Sequence, residues 1–78
     1  MTLDLAPQLQ ERAISVLIGQ RIRTRRERIG MTLKELAKAM GLSYPQIIRF
    51  ETGANQIKAS QLWYMSRALG CRVEDLMP

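Results

Sequence analysis

Arginine is the residue this sequence concentrates. Arg21, Arg23, Arg25, Arg26 and Arg28 fall between positions 21 and 28, with Glu27 as the one acid among them. Each guanidinium is a fixed fork of donors suited to carboxylate or phosphate oxygens, so such a run is equipped to bind anions. On a helix, however, these five wind around the axis and cannot all face one partner. Over the whole chain 12 Lys and Arg stand against 7 Asp and Glu, a formal charge of +5 with a basic middle and slightly acidic ends. That distribution favours a polyanionic partner. Charge alone leaves open the alternative of a solvated charged helix. Covalent chemistry is poorly provided for. There is no histidine and one cysteine; the carboxylates are scattered, and no metal-ligand spacing, glycine-rich phosphate loop or nucleophile motif occurs. The expectation is a protein without catalysis, cofactor or metal.

The elements that must position the polar residues are legible from spacing. Thr32 and Glu35 form the two ends of a capping box. Leu33, Leu36, Ala37 and Met40 follow at helical spacing, and Gly41 stops that helix. Ser43 caps another helix at once, with Pro45 in its first turn, where a missing N–H costs nothing. Ile47 and Phe50 point to the core. Two short helices joined by so tight a turn must cross steeply, and the second projects. Upstream, residues 7–29 contain no breaker except Gly19, so a first helix starts either near Pro7 or, after a separate turn, near Ser15. Its core-facing positions are Val16, Ile18, Ile22 and Ile29. Ile14 and Leu17 leave an apolar excess, and the extension is expected to pack on the domain or on a partner subunit. Downstream, a helix over about 60–69 turns Leu62, Met65, Ser66 and Leu69 inward. Trp63, Tyr64 and Arg67 lie on its other sides, where the aromatic pair either covers core or meets a second subunit. Gly70 ends it, and residues 73–77 form a last turn.

The fold expected is therefore all-α: a compact bundle of about five short helices with a helix-turn-helix and an N-terminal helical extension. Residues 1–13 form the arm and extension, and residues 14–78 one domain, with no repeat or linker. A chain of 78 residues allows one small core. No apolar run is long enough to span a membrane. Asp4 and the lack of a basic start argue against a secretory signal. A single Cys71 cannot pair internally and suits a reducing cytoplasm.

T-x-x-E-L-A at 32–37, G-L-S at 41–43, Ile47, Glu51 and Gly53 resemble the Cro/C1-type helix-turn-helix family (XRE, lambda repressor-like). The likeness runs from about Ile18 to Met77. The tail G-A-N-Q-I-K-A-S-Q-L-W is similar to that of a subgroup of small stand-alone bacterial or phage regulators. The resemblance implies a DNA-binding transcriptional regulator acting as a homodimer on a palindromic operator. It places base reading at Tyr44, Pro45, Gln46, Ile48 and Arg49, on a recognition helix over about 44–51. Phosphate binding falls to Thr32, Lys34, Ser43, Thr52, Asn55, Gln56 and Lys58. Arg26 matches an arginine that pairs with the glutamate at Glu51, as a structural ion pair; the other arginines are solvated or in the phosphate field. A dimer contact is implied for Trp63, Tyr64, Val73, Leu76 and Met77. The partners implied are double-stranded DNA and a second copy, with RNA polymerase or a cognate toxin as further possibilities. Three positions depart from the pattern. Leu33 stands where relatives carry a phosphate-binding glutamine, Pro45 replaces a hydrogen-bonding side chain, and Ile48 replaces a polar one. Ile48 either meets thymine methyl groups or adds packing against a helix or a neighbouring subunit. These apolar departures motivate the alternative of a protein-interaction module such as an antitoxin.

Overall fold

The computed structural model describes residues 6–78. The start of the expected arm, residues 1–5, lies outside the described residues. Five helices follow in order: α1 (Pro7–Arg28), α2 (Leu33–Met40), α3 (Tyr44–Thr52), α4 (Ala59–Ala68) and α5 (Val73–Leu76). Of the two starts that the sequence allows for α1, the early one is adopted, with Pro7 at the first helical position. A proline there loses no hydrogen bond and brings its φ already set.

The core is built where helical spacing places it. Ile22, Leu36, Ile47 and Met65 are fully buried, and Ile18, Phe50, Leu62, Leu69 and Leu76 close around them. Each such large side chain contributes ~1.5–3 kcal/mol by leaving water. On α4 the inward stripe is Leu62, Met65 and Ser66, with Leu69 at the cap. Ser66 is tolerated because its Oγ donates to the Trp63 carbonyl at 2.6 Å, which removes the cost of burying a hydroxyl without a partner.

Three expectations for α1 change. Ile29 is 44% exposed, because it is the C-cap rather than a helical position, and the chain turns away there. Val16 is half-buried and sits beneath Gly53. Gly19 is no breaker at all. A Cβ at this position would lie 2.4 Å from the Phe50 carbonyl oxygen and 2.5 Å from that of Glu51. Glycine is thus what lets α1 pass against the backbone that ends α3. The apolar excess of the extension is not absorbed by the domain: Leu9, Ile14 and Leu17 remain exposed.

Two arginines expected to be solvated or near phosphate do structural work instead. Arg25 donates from Nε to the Leu69 carbonyl at 3.3 Å and from NH2 to that of Gly70 at 3.0 Å. Arg21 donates to the Met77 carbonyl at 2.8 Å. Carbonyls at a helix C-terminus lack intrahelical donors, and cations there also meet the negative end of the helix dipole. α1 therefore holds the end of α4 and the close of α5 through charge-assisted hydrogen bonds.

Candidate nucleic-acid interface

Two capping boxes fix the helix-turn-helix. The Thr32 hydroxyl accepts from the Glu35 N–H at 3.1 Å, and the Glu35 carboxylate accepts from the Thr32 N–H at 3.0 Å. These hydrogen bonds hold the Glu35 carboxyl below its ordinary value. Ser43 and Gln46 repeat the pattern at the start of α3: the Gln46 side-chain oxygen accepts from Ser43 N–H at 2.8 Å, and Ser43 Oγ accepts from Gln46 N–H at 3.3 Å. The N-termini of α2 and α3 are both exposed, and each presents N–H groups and a partial positive charge at the surface, as anion sites require.

The face of α3 is set by what it buries. Ile47, Phe50 and Glu51 turn inward. That leaves Tyr44, Pro45, Ile48, Arg49 and Thr52 on the outward side, all exposed. Gln46 is also exposed, but its carbonyl oxygen is engaged in the cap. The bidentate pairing with adenine expected of it uses both ends of the amide, so as it stands only the NH2 end is presented, and two-point contact requires the cap to open.

Glu51 is held by Arg26. Arg26 Nε donates to Glu51 Oε2 at 2.6 Å and NH2 to Oε1 at 3.1 Å, while NH1 donates to the Met31 carbonyl at 2.9 Å. Both residues are 8% exposed. The Glu51 hydrogen bond raises the Arg26 pKa above its ordinary value, against the opposing effect of burial. All three of its nitrogens are engaged inward and the side chain is buried, so Arg26 serves the structure. It ties α1 to the end of α3 and so fixes the angle at which α3 projects. No buried side-chain nitrogen or oxygen among the described residues lacks a hydrogen-bond partner.

The loop after α3 is built partly by the residues expected at phosphate. Thr52 Oγ1 donates to the Arg49 carbonyl and accepts from Ala54 N–H, at 3.3 and 3.4 Å. Gln56 Nε2 donates to Glu11 Oε2 at 3.1 Å, tying the loop to the α1 extension. Lys34, Asn55 and Lys58 are exposed. Gly53 closes α3 at φ +80°, where a Cβ would also strike the Val16 backbone at 2.7 Å.

The surface expected at a second subunit is corrected in part. Leu76 is 1% exposed and belongs to the chain's own core. Val73 is half-buried against that core. Trp63 and Tyr64 do not cover core: they are 50% and 62% exposed, stacked edge to face at 5.2 Å, with the Arg67 guanidinium 5.2 Å above the Trp63 ring. Met77 is 40% exposed.

Sequence reasoning missed Gly19, Arg21 and Arg25 as positioning residues. The signal available was indirect: a helix ending at Gly70 implies carbonyls in need of donors, but which distant arginine supplies them follows only from packing. Among the described residues no group of His, Cys, Asp and Glu could hold a metal ion, and no helix is long and apolar enough to cross a membrane.

The all-helical arrangement, with α2 and α3 joined by a short turn and α3 projecting, defines a helix-turn-helix protein. A family model described as helix-turn-helix matches residues 22–76. The chain is 37% identical over 60 residues to an uncharacterised HTH-type transcriptional regulator of Sinorhizobium medicae, across 77% of this chain and 43% of that protein. It therefore spans less than half the length of that relative. Among solved structures it is similar to the restriction-modification controller protein C.AhdI from Aeromonas hydrophila, with TM-score 0.76, 26% identity, and coverage of 80% of this chain and 94% of that one. It is also similar to the clp gene regulator ClgR from C. glutamicum, with TM-score 0.77, 31% identity and 80% of each chain covered. The chain belongs to the Cro/C1-type helix-turn-helix family of transcriptional regulators.

Proposed function

We propose that this chain reads DNA sequence as a homodimer, with α3 in the major groove and the starts of α2 and α3 against the phosphate backbone. The observation that carries the reading is the outward face of α3. Arg49 and Tyr44 project from a helix whose own pose is locked by the Arg26–Glu51 pair and by two capping boxes. Arg49 supplies the fork that matches guanine O6 and N7. Tyr44 offers a ring for a thymine methyl and a hydroxyl for phosphate or base, and Pro45 shapes the helix start. Gln46 contributes its NH2 end. Thr32, Lys34, Ser43, Asn55 and Lys58 serve the backbone, which sets register without carrying sequence information. Thr52 and Gln56 serve first to shape the loop.

Dimerisation follows from size. A helix of 9 residues is about 13 Å long, so one copy reads a few base pairs. Two copies on a palindromic site place their recognition helices about 34–36 Å apart. Trp63, Tyr64 and Met77 are the exposed residues suited to the contact, since aromatic side chains and methionine are enriched at interfaces. The site calls for no catalysis, and a regulator of this kind works in the cytoplasm.

The test separates base reading from backbone binding. Arg49→Ala should flatten sequence preference and cost roughly 1–3 kcal/mol on the preferred duplex. Lys58→Ala should weaken all duplexes alike and lower the salt slope by about 1. Equal losses on preferred and random duplexes for Arg49→Ala would remove that residue from base reading. The exposed Trp63–Tyr64 pair favours a second reading, a module whose main partner is another protein, such as an antitoxin. A protein without measurable DNA affinity at any salt concentration would select it.

A further inference from the structure

We infer that Leu33 and Ile48 together form a receptor for the 5-methyl group of thymine, so that the replacement of polar family residues at both positions is one device of specificity. The inference rests on the DNA-reading proposal above. Leu33, the first residue of α2, and Ile48, on the flank of α3, line one open groove of about 270 Å³ with Arg23, Arg26, Glu51 and Thr52. Leu33 is half-buried and packed on the core, and Ile48 is 36% exposed.

The chemistry of the groove is selective by what it lacks. Its buried charges, Arg26 and Glu51, neutralise each other through two hydrogen bonds. Its two apolar walls have no donor or acceptor for a base edge. The remaining cation of the lining is Arg23, whose ion pair among the described residues is an exposed one to Glu27 at 3.6 Å. A fitting ligand therefore carries a small apolar group with a negative charge beside it. In the major groove only thymine among the four bases presents a methyl group, and a backbone phosphate accompanies every base. The groove is continuous with the outward face of α3, because Ile48 is adjacent to Arg49 on the same helix, and with the α2 N-terminus, where Thr32 and Lys34 flank Leu33. Arg23 is the phosphate contact of this receptor.

The probe is a duplex enriched from a random-sequence library by the full chain, then synthesised with thymidine or with deoxyuridine, which lacks only the methyl group. The wild type should lose about four-fold in affinity for each thymine methyl removed from the receptor, the factor for burying one methyl-sized group. Leu33→Gln and Ile48→Ser should each lower the ratio between the two duplexes toward one. The ratio is taken within one protein, so loss of folded material cancels. Enriched duplexes without thymine in the half-site, a wild-type ratio of one, or a ratio unchanged in both variants would each overturn the inference while leaving sequence-specific binding intact. No enrichment at all would overturn both readings. A groove that serves a protein partner instead would show as a wild-type ratio of one.

Discussion

Three residues show how much of this molecule depends on what a single side chain leaves out or leaves paired. At Gly19, two effects oppose each other. Alanine in a helix is favoured over glycine by ~1 kcal/mol. Its Cβ would meet two backbone carbonyl oxygens at 2.4 and 2.5 Å, and overpacking costs ~1–3 kcal/mol where the neighbour cannot yield. Backbone at the end of α3 cannot yield without moving Glu51. Gly19→Ala should therefore lower the urea midpoint, and a raised midpoint would show that α1 and α3 have room to part. At Glu51, removal of the carboxylate leaves Arg26 buried with its main partner gone. Glu51→Ala should cost ~3–5 kcal/mol, most of it recovered when Arg26→Met and Glu51→Leu are combined. A chain of this size has only about 4–12 kcal/mol of stability in all, so the single variant approaches unfolding at room temperature. Chemical denaturation of the wild type, Glu51→Ala and the double variant checks this order. At Glu35 the measurement is pH. Its pKa in the folded chain lies below the ordinary 4.5 because Thr32 donates to the carboxylate. The stabilisation is therefore fully present above about 4.5 and is lost as pH falls through the depressed value. Glu35→Gln keeps an acceptor for the cap but has no proton to take up. The stability difference between wild type and Glu35→Gln should be flat above pH 5 and shift against the wild type below pH 4.

At the scale of elements, α2 and α3 were the most legible part of the chain. Each announces its start with a hydroxyl cap and a partner three residues later, each ends at glycine, and the apolar residues between recur on one face. Local chemistry decides these features, and local chemistry is what a sequence displays. The same holds for the inward stripe of α4. The α1 helix was less legible. Its apolar residues lie on opposing sides: Ile18 and Ile22 face the core while Leu9 and Leu17 face out. Periodicity alone therefore could not choose the core face over its whole length. Arg21 and Arg25 are hard to read from sequence for a related reason. Arg21, Arg25 and Arg26 bond to groups that are respectively 56, 44 and 25 positions away, and only Arg26 had a family pattern to name its partner. Leu76 belongs to the chain's own core, but an apolar residue in a short last turn reads the same in sequence whether it faces that core or another copy.

As a whole, the molecule divides its cations by what they engage. Arg49, Lys34 and Lys58 are exposed, whereas Arg21 and Arg25 hydrogen-bond to backbone carbonyls at the ends of α4 and α5. A count of cations along the sequence merges the two groups; the fold divides them into those available to a polyanion and those that bind the protein to itself. One copy carries a single helix of this kind, α3, so the proposed reading of a long site calls for two copies.

The measurement that tests this most directly is the recovery of duplexes from a random-sequence library by the full chain at physiological salt, with the retained sequences read out. The expected result is a small set that shares an inverted repeat, with half-sites centred one helical turn, about 10 base pairs, apart. Retention of no duplex, or of all duplexes alike, would contradict it and leave the exposed aromatic side, rather than α3, as the surface around which the protein works.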